Sequence, residues 1–441
     1  MLKTPDQIDA PSIIGGAQRY ARAGGEVSLS RPSAGGDVPR LDAHDAARLD
    51  ELFADLTDKA RRVFGFPMNT AFDYSDLERF LAFPMNNVGD PFGDSNYAVN
   101  CHEFEREVID FFAQLYRIQK NNYWGYVTHG GTEGNMYGLY LAREVCPNGV
   151  VYFSEDTHYS VMKIVHVLDM KHIIVKSQDN GEMSYDDLED MLRLNRDKPV
   201  IILANIGTTM KGAVDSLEKI RTALHNNAIH HSYIHCDAAL FGMMLPFIKD
   251  ASAFDFPAGA DSIAVSGHKF IGMPMPSGVV IAKKFNVERV KAAIEYIGAS
   301  DTTIAGSRNA LTTLMLWRSI RALGRRGFEQ RVKAVLALTY YALERLNDIG
   351  WPAWANPFSN TIVLERPPRE VTRKWQLAVK DDIAHVIVMP HVSKARIEEF
   401  IEDLRQVMRL AASAPDPRRG PAALRKTGIG ARHGLTAPAR S

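Results

Sequence analysis

Ser266-Gly267-His268-Lys269-Phe270 sets a lysine just past an apolar run, Asp261 to Val265, that reads as a buried strand. Upstream, a second run, Tyr233-Ile234-His235-Cys236, delivers Asp237-Ala238-Ala239 in the same way. An amine and a carboxylate, each placed where a parallel strand runs out, suit one kind of chemistry. The amine can condense with an aldehyde, while the carboxylate pairs with a pyridine nitrogen and keeps it protonated, so that the ring accepts electrons. Those are the needs of pyridoxal 5'-phosphate (PLP), and on this reading the chain is expected to be an enzyme.

Either residue alone is ordinary, since a lysine after a strand is usually a solvated loop residue. The pair gains weight from Gly130-Gly131-Thr132-Glu133-Gly134-Asn135, which opens an apolar helical pattern from Met136 through Val145. Glycines let a backbone approach an anion closely, and the N–H groups and dipole of a first helical turn bind phosphate.

These blocks resemble the group II PLP-dependent amino-acid decarboxylases, and within them the histidine and serine decarboxylase branch. The matching residues are Tyr126-Val127-Thr128-His129 leading into Gly130 to Asn135, then Asp156-Thr157-His158-Tyr159-Ser160-Val161 and Gly207-Thr208-Thr209-Met210-Lys211-Gly212-Ala213. They continue with His235 to Leu240, Ser266 to Gly272 and Gly306-Ser307-Arg308-Asn309. The resemblance runs from about Phe72 to about Leu404. It implies α/β fold-type I, a mainly parallel central sheet with crossover helices and a small α+β C-terminal domain, in a homodimer with active sites at the subunit interface. It also implies removal of carbon dioxide from an L-amino acid, with L-histidine as first choice and serine or another amino acid as runner-up.

The same resemblance distributes roles. His158 lies over one face of the cofactor ring and Ala239 packs against the other. Gly131 and Thr132 hold the phosphate, Ser266 and His268 close the cup beside Lys269, and Thr208 or Thr209 reaches the phenolic oxygen. Asn86 and Asn87 form a wall of the substrate pocket, Tyr296 and the stretch from Ser300 to Arg308 reach the neighbouring subunit's site, and Ser359-Asn360 faces the substrate. His129, Cys236 and Ser277 depart from the family's common residues, which bears on specificity rather than on the lysine chemistry.

The elements needed to position these groups are legible as alternation of apolar runs and amphipathic helices. Strands are expected at Val150 to Phe153, His172 to Val175, Val200 to Asn205, Tyr233 to Cys236, Ser262 to Val265 and Gly278 to Ala282, with helices between most of them. Ser184 to Asp187 has the spacing of a capping box, and Asp215 with Glu218 repeats it. Leu311 to Leu323 reads as a helix, with a second one after Gln330 ending near Gly350. Thr361 to Leu364 and His385 to Met389 read as strands, and Lys394 to Met408 as a helix. The expected division is a loose arm to residue 40, a helical segment and pocket wall at 41–100, a large PLP-binding domain at 101–309, a small domain at 310–412 and a disordered tail from 413.

With 441 residues, 46% hydrophobic and 24% charged, the chain can bury a large core. Zero formal net charge gives no electrostatic case for nucleic acid or an anionic membrane as partner. Three widely spaced cysteines suit a reducing compartment, with the cytoplasm as default, and no apolar run approaches the roughly 18 residues of a membrane span. There is no internal repeat. Competing readings are an aminotransferase or other PLP lyase, a cofactor-free scaffold, and a metal module built on His225, His230, His231, His235 and Cys236. The last fits no zinc spacing, and no metal site is expected.

Overall fold

A computed structural model describes residues 40–290, 292–294 and 299–413. Residues 1–39 of the expected arm, residues 414–441 of the expected tail, and Tyr296 lie outside the described residues. After helix α1 (Ala43–Ala60) and a 3₁₀ segment at Ser75–Ala82, the elements run α2 (His102–Leu115), β1 (Tyr123–Thr128), α3 (Gly131–Val145), β2 (Val150–Ser154), α4 (Ser160–Val167), β3 (His172–Val175), α5 (Tyr185–Leu194), β4 (Val200–Asn205), α6 (Leu217–Asn226), β5 (Ser232–Asp237), β6 (Ser262–Ser266) and β7 (Gly278–Lys283).

These seven strands form one sheet in the order β1-β7-β6-β5-β4-β2-β3. β7 pairs antiparallel with both its neighbours, whereas β6, β5, β4, β2 and β3 are mutually parallel. The C-terminal ends of the parallel strands therefore share one edge, and it is outside such an edge that open α/β sheets bind ligands. The strand residues alternate between two cores, as a period of two requires. Val200, Ile202 and Ala204 face one, while Ile201, Leu203 and Tyr233 face the other, which also holds Tyr137 and Leu139 of α3.

All six expected strands form, each within a residue of the stated bounds. β1 is missing from those expectations because Gly125 and three aromatic residues break its aliphatic run. The glycine has a packing reason: a Cβ there would lie 2.3 Å from the Val280 carbonyl oxygen on β7. Ser184 caps α5 as expected. Asp215 does not cap α6, and Ser216 does so instead. The Asp215 carboxylate is buried and accepts from the backbone of Met183 and Asn205, and burial pushes its pKa up to about 6.

The chain continues through α7 (Lys284–Val287), the short pair β8 (Ala292–Ile294) and β9 (Ala299–Asp301), and the long α8 (Ala310–Asp348). α8 breaks at Gly324, whose backbone (φ 56°, ψ −177°) is not helical, so the second segment begins there rather than after Gln330. Then come β10 (Ala353–Trp354), β11 (Thr361–Glu365), α9 (Arg369–Lys374), β12 (Ala378–Lys380), β13 (Ile383–Ile387) and α10 (Lys394–Ser413). Here β10-β11-β13-β12 is an antiparallel sheet whose edge strands are too short to register as periodic runs. Phe64, ahead of the 3₁₀ segment, packs its ring against Trp375 and Phe400 and exchanges backbone hydrogen bonds with Trp375 and Ile387, which ties the N-terminal segment to this sheet.

Candidate active site

The site is built on the C-terminal edge of the large sheet. β1 ends at Thr128, and the chain turns through Gly130, at φ 147°, into the first turn of α3. A Cβ at Gly131 would lie 2.7 Å from Ser266 Oγ and 3.5 Å from Ala239 Cβ, so glycine lets this turn approach the ends of β5 and β6 without displacing the Ser266 hydroxyl. The helix start is reinforced by Glu133, which accepts from His129 N at 2.8 Å and from Tyr126 Oη at 2.9 Å. The first-turn N–H groups have no acceptor inside the helix, and exposed Thr132 stands among them.

Lys269 follows β6 on a wide turn, His268–Gly272, closed by a hydrogen bond from Gly272 N to Gly267 O. The turn is braced from the N-terminal segment: Asn69 Nδ2 donates to Phe270 O (2.9 Å) and Ile271 O (3.2 Å), and Tyr74 Oη donates to Gly272 O (2.6 Å). Gly272 has φ +92°, and a Cβ there would collide with the Asn69 amide at 2.7 Å. Nothing in the sequence singles out Asn69 and Tyr74, because residues some two hundred positions from Lys269 carry no local signal of what they brace. Burial lowers the Lys269 pKa below the ordinary lysine value, and Asp237 partly offsets this.

Asp237 ends β5, buried, with Oδ1 accepting from Ala239 N at 3.2 Å and Oδ2 accepting from Asn135 Nδ2 at 2.7 Å. His158 follows β2, and its Nδ1 accepts from the Ser160 backbone N–H (3.3 Å) and lies 2.8 Å from Ser160 Oγ, which leaves Nε2 as the protonated nitrogen. Burial lowers the His158 pKa, with the Asp237 charge opposing and Lys269 assisting that shift. Lys269 and Asp237 thus lie near enough to His158 to act on its charge. Burial also lowers the His268 pKa, and its ring lies 2.9 Å from Ser277 O, beside the glycine turn.

Other expected site residues make hydrogen bonds within the chain. Thr208 is buried and its hydroxyl accepts from Ala213 N at 3.0 Å, closing its own loop, whereas Thr209 is exposed. Ser359 is fully buried, with its hydroxyl spent on Thr361 and packed where a Gly212 Cβ would stand. Asn86 bonds Ser307 and the Arg308 backbone, and Asn87 bonds Glu105 and the Cys101 backbone. Both asparagines thus pin the wall rather than present free amides. Arg308, at the end of the stretch expected to reach a neighbouring subunit, is held within its own chain. It is buried on Glu105, also buried, and donates to Gly89 O at 2.8 Å. Arg308→Ala would leave the Glu105 charge unpaired and should cost about 3–5 kcal/mol of stability, measured by denaturant unfolding. An unchanged midpoint would show that Glu105 finds another partner.

The residues present fit PLP. An amine-bearing turn, a buried carboxylate, a ring nitrogen and a glycine-bearing helix start follow the ends of strands of one sheet, and Ala239 lies 3.5 Å from where a Gly131 Cβ would stand. Among the described residues no cluster of His, Cys, Asp and Glu is fit to hold a metal ion.

Residues 94–350 match the pyridoxal-dependent decarboxylase conserved domain. The chain is 48% identical over 364 residues to a histidine decarboxylase of Mesorhizobium japonicum, covering 82% of this chain and 98% of that one. It is 43% identical over 353 residues to serine decarboxylase 1 of Oryza sativa, covering 80% of this chain and 73% of that one. Among solved structures, L-methionine decarboxylase from Streptomyces sp. 590, crystallised with L-methionine methyl ester, superposes with a TM-score of 0.76 at 26% identity, covering 84% of this chain and 96% of that one.

Proposed function

This chain belongs to the pyridoxal-dependent decarboxylases, and from that membership we propose that it releases carbon dioxide from L-histidine to give histamine. The observation that carries the substrate is the 48% identity to a histidine decarboxylase across nearly that protein's whole length. Serine is the second reading, favoured by the 43% identity to the rice enzyme.

Bound at this site, PLP supplies an electron sink for the bond between Cα and the carboxylate. Lys269 would hold it through the Nζ amine, which its lowered pKa brings closer to the neutral, nucleophilic form. The Asp237 carboxylate would keep a proton on the ring nitrogen. Gly131, Thr132 and Ser266 would take the phosphate at the start of α3. His158, anchored at Nδ1 by Ser160, would orient the substrate through its Nε2–H and, as the imidazolium, would give the Nε2 proton to Cα and return to the neutral ring.

We further propose a homodimer in the cytoplasm. In α1 no residue is buried, and Leu49, Leu52, Phe53 and Leu56 are 50–76% exposed. An apolar helix face of this kind needs a covering surface, and a second copy would supply it. Cys101, Cys146 and Cys236 are free and buried, which suits a reducing compartment. Among the described residues no helix is long and apolar enough to cross a membrane.

The test is to incubate the PLP-loaded protein with each of the twenty amino acids and identify carbon dioxide and amine by mass spectrometry. Histamine from histidine alone is the expected result. Ethanolamine from serine would transfer the chain to the second reading, and pyruvate-dependent amino transfer without carbon dioxide would overturn decarboxylation.

A further inference from the structure

Beneath Asp237 lies an unbroken line of buried polar groups that the chemistry above does not use. Asn135, on α3, is 2% exposed, and His235 and Ser262, on β5 and β6, are fully buried. His235 Nδ1 lies 2.7 Å from Ser262 Oγ, His235 Nε2 lies 3.0 Å from Asn135 Oδ1, and Asn135 Nδ2 donates to Asp237 Oδ2 at 2.7 Å. His235 and Asp237 are two apart on one strand and so share the face beneath α3. The helix is shaped to admit the ring, since a Cβ at Gly138, one turn past Asn135, would lie 2.1 Å from His235 Nδ1.

The direction of every bond follows from its last link. The Asp237 carboxylate only accepts, so the Asn135 amide nitrogen faces it and Asn135 Oδ1 faces back toward the histidine. His235 must then donate from Nε2, which leaves Nδ1 to accept the Ser262 hydroxyl proton. Burial lowers the His235 pKa to about 4, so the ring stays neutral at ordinary pH with one tautomer selected. Each donor points toward the carboxylate, the arrangement in which successive bonds polarise one another.

We propose that Ser262, His235 and Asn135 are positioning residues that hold the Asp237 carboxylate aimed at the ring nitrogen of the cofactor. The proposal rests on the PLP reading. Asn135 touches Asp237 directly, and His235 and Ser262 act through Asn135, so the effect of a substitution should fall off along the line.

The test uses the full chain with Asn135→Leu, His235→Leu, the conservative His235→Gln, and Ser262→Ala. In ¹⁵N-histidine spectra of the parent, the signal lost in His235→Gln should report an Nε2–H tautomer that stays neutral down to about pH 4. An Nδ1–H tautomer would overturn the proposal. In the PLP-loaded proteins, Asn135→Leu should weaken PLP affinity and lower kcat by about 10- to 100-fold, the scale of hydrogen bonds to a charged group, with KM little changed. It should also move the pH midpoint of the visible absorbance. His235→Leu should have a smaller effect that His235→Gln partly restores, and Ser262→Ala the smallest, so the series survives if one variant fails to fold. A purely structural role would lower melting temperature and leave the affinity, midpoint and kcat of the folded variants at parental values, which would overturn the proposal. A parent that takes up no PLP and releases no carbon dioxide would instead overturn the cofactor reading, and the proposal with it.

Discussion

Lys269→Ala protein should release carbon dioxide on the order of 10³-fold more slowly than the parent, or more, because the variant loses the amine that would tether the cofactor and take part in its exchange with the substrate. The loss should not come from unfolding. The Lys269 amine makes no hydrogen bond or ion pair among the described residues, and its turn is held by Asn69 and Tyr74 through backbone carbonyls that alanine keeps. Removing a buried amine also relieves the desolvation that lowers its pKa. Melting temperature should therefore be preserved while activity disappears. Borohydride reduction followed by peptide mass spectrometry gives a second readout: the parent should carry the PLP mass on the peptide containing Lys269. Its appearance on another lysine, or parental rates in the variant, would remove Lys269 from the role given to it.

How much of this was legible in the sequence depends on how locally each feature is encoded. Strands such as Val200–Asn205 are buried on both faces and so read as continuous apolar runs, and the groups at their ends follow directly. β1 was hidden because it is held by a close backbone approach at Gly125, which shows in the sequence only as a glycine among aromatics. The α6 cap was misplaced by one residue, since Asp and Ser are both good caps and only burial of Asp215 under the β4 end decides between them. Asn86, Asn87 and Ser359 were placed at the substrate pocket by resemblance alone. The hydrogen bonds that consume them come from Glu105, Cys101, Ser307 and Thr361, and sequence reading could not assign those partners. His235 carried a signal of the wrong kind. It stood out as a possible metal ligand, and its fixed tautomer becomes visible only when Asn135 and Ser262 are placed on either side of it.

Asp237→Asn should cost about 10²–10³ in kcat, the scale for losing one preorganised electrostatic partner of a developing charge. Asparagine preserves shape, but its amide can accept from only one of the two donors that converge there, Ala239 N and Asn135 Nδ2, and it carries no charge to hold a proton on the ring nitrogen. Asp237→Glu keeps the charge on a longer arm and should recover part of the rate. Steady-state kinetics on both variants tests this, and equal loss in the two would mean that shape rather than charge is what matters at this position. The double variant Asp237→Asn with Asn135→Leu separates the carboxylate from its support. If Asn135 acts only through Asp237, the double variant should be no slower than Asp237→Asn alone, because residues working as a unit are not additive. Multiplicative losses would show that Asn135 reaches the reaction by another route.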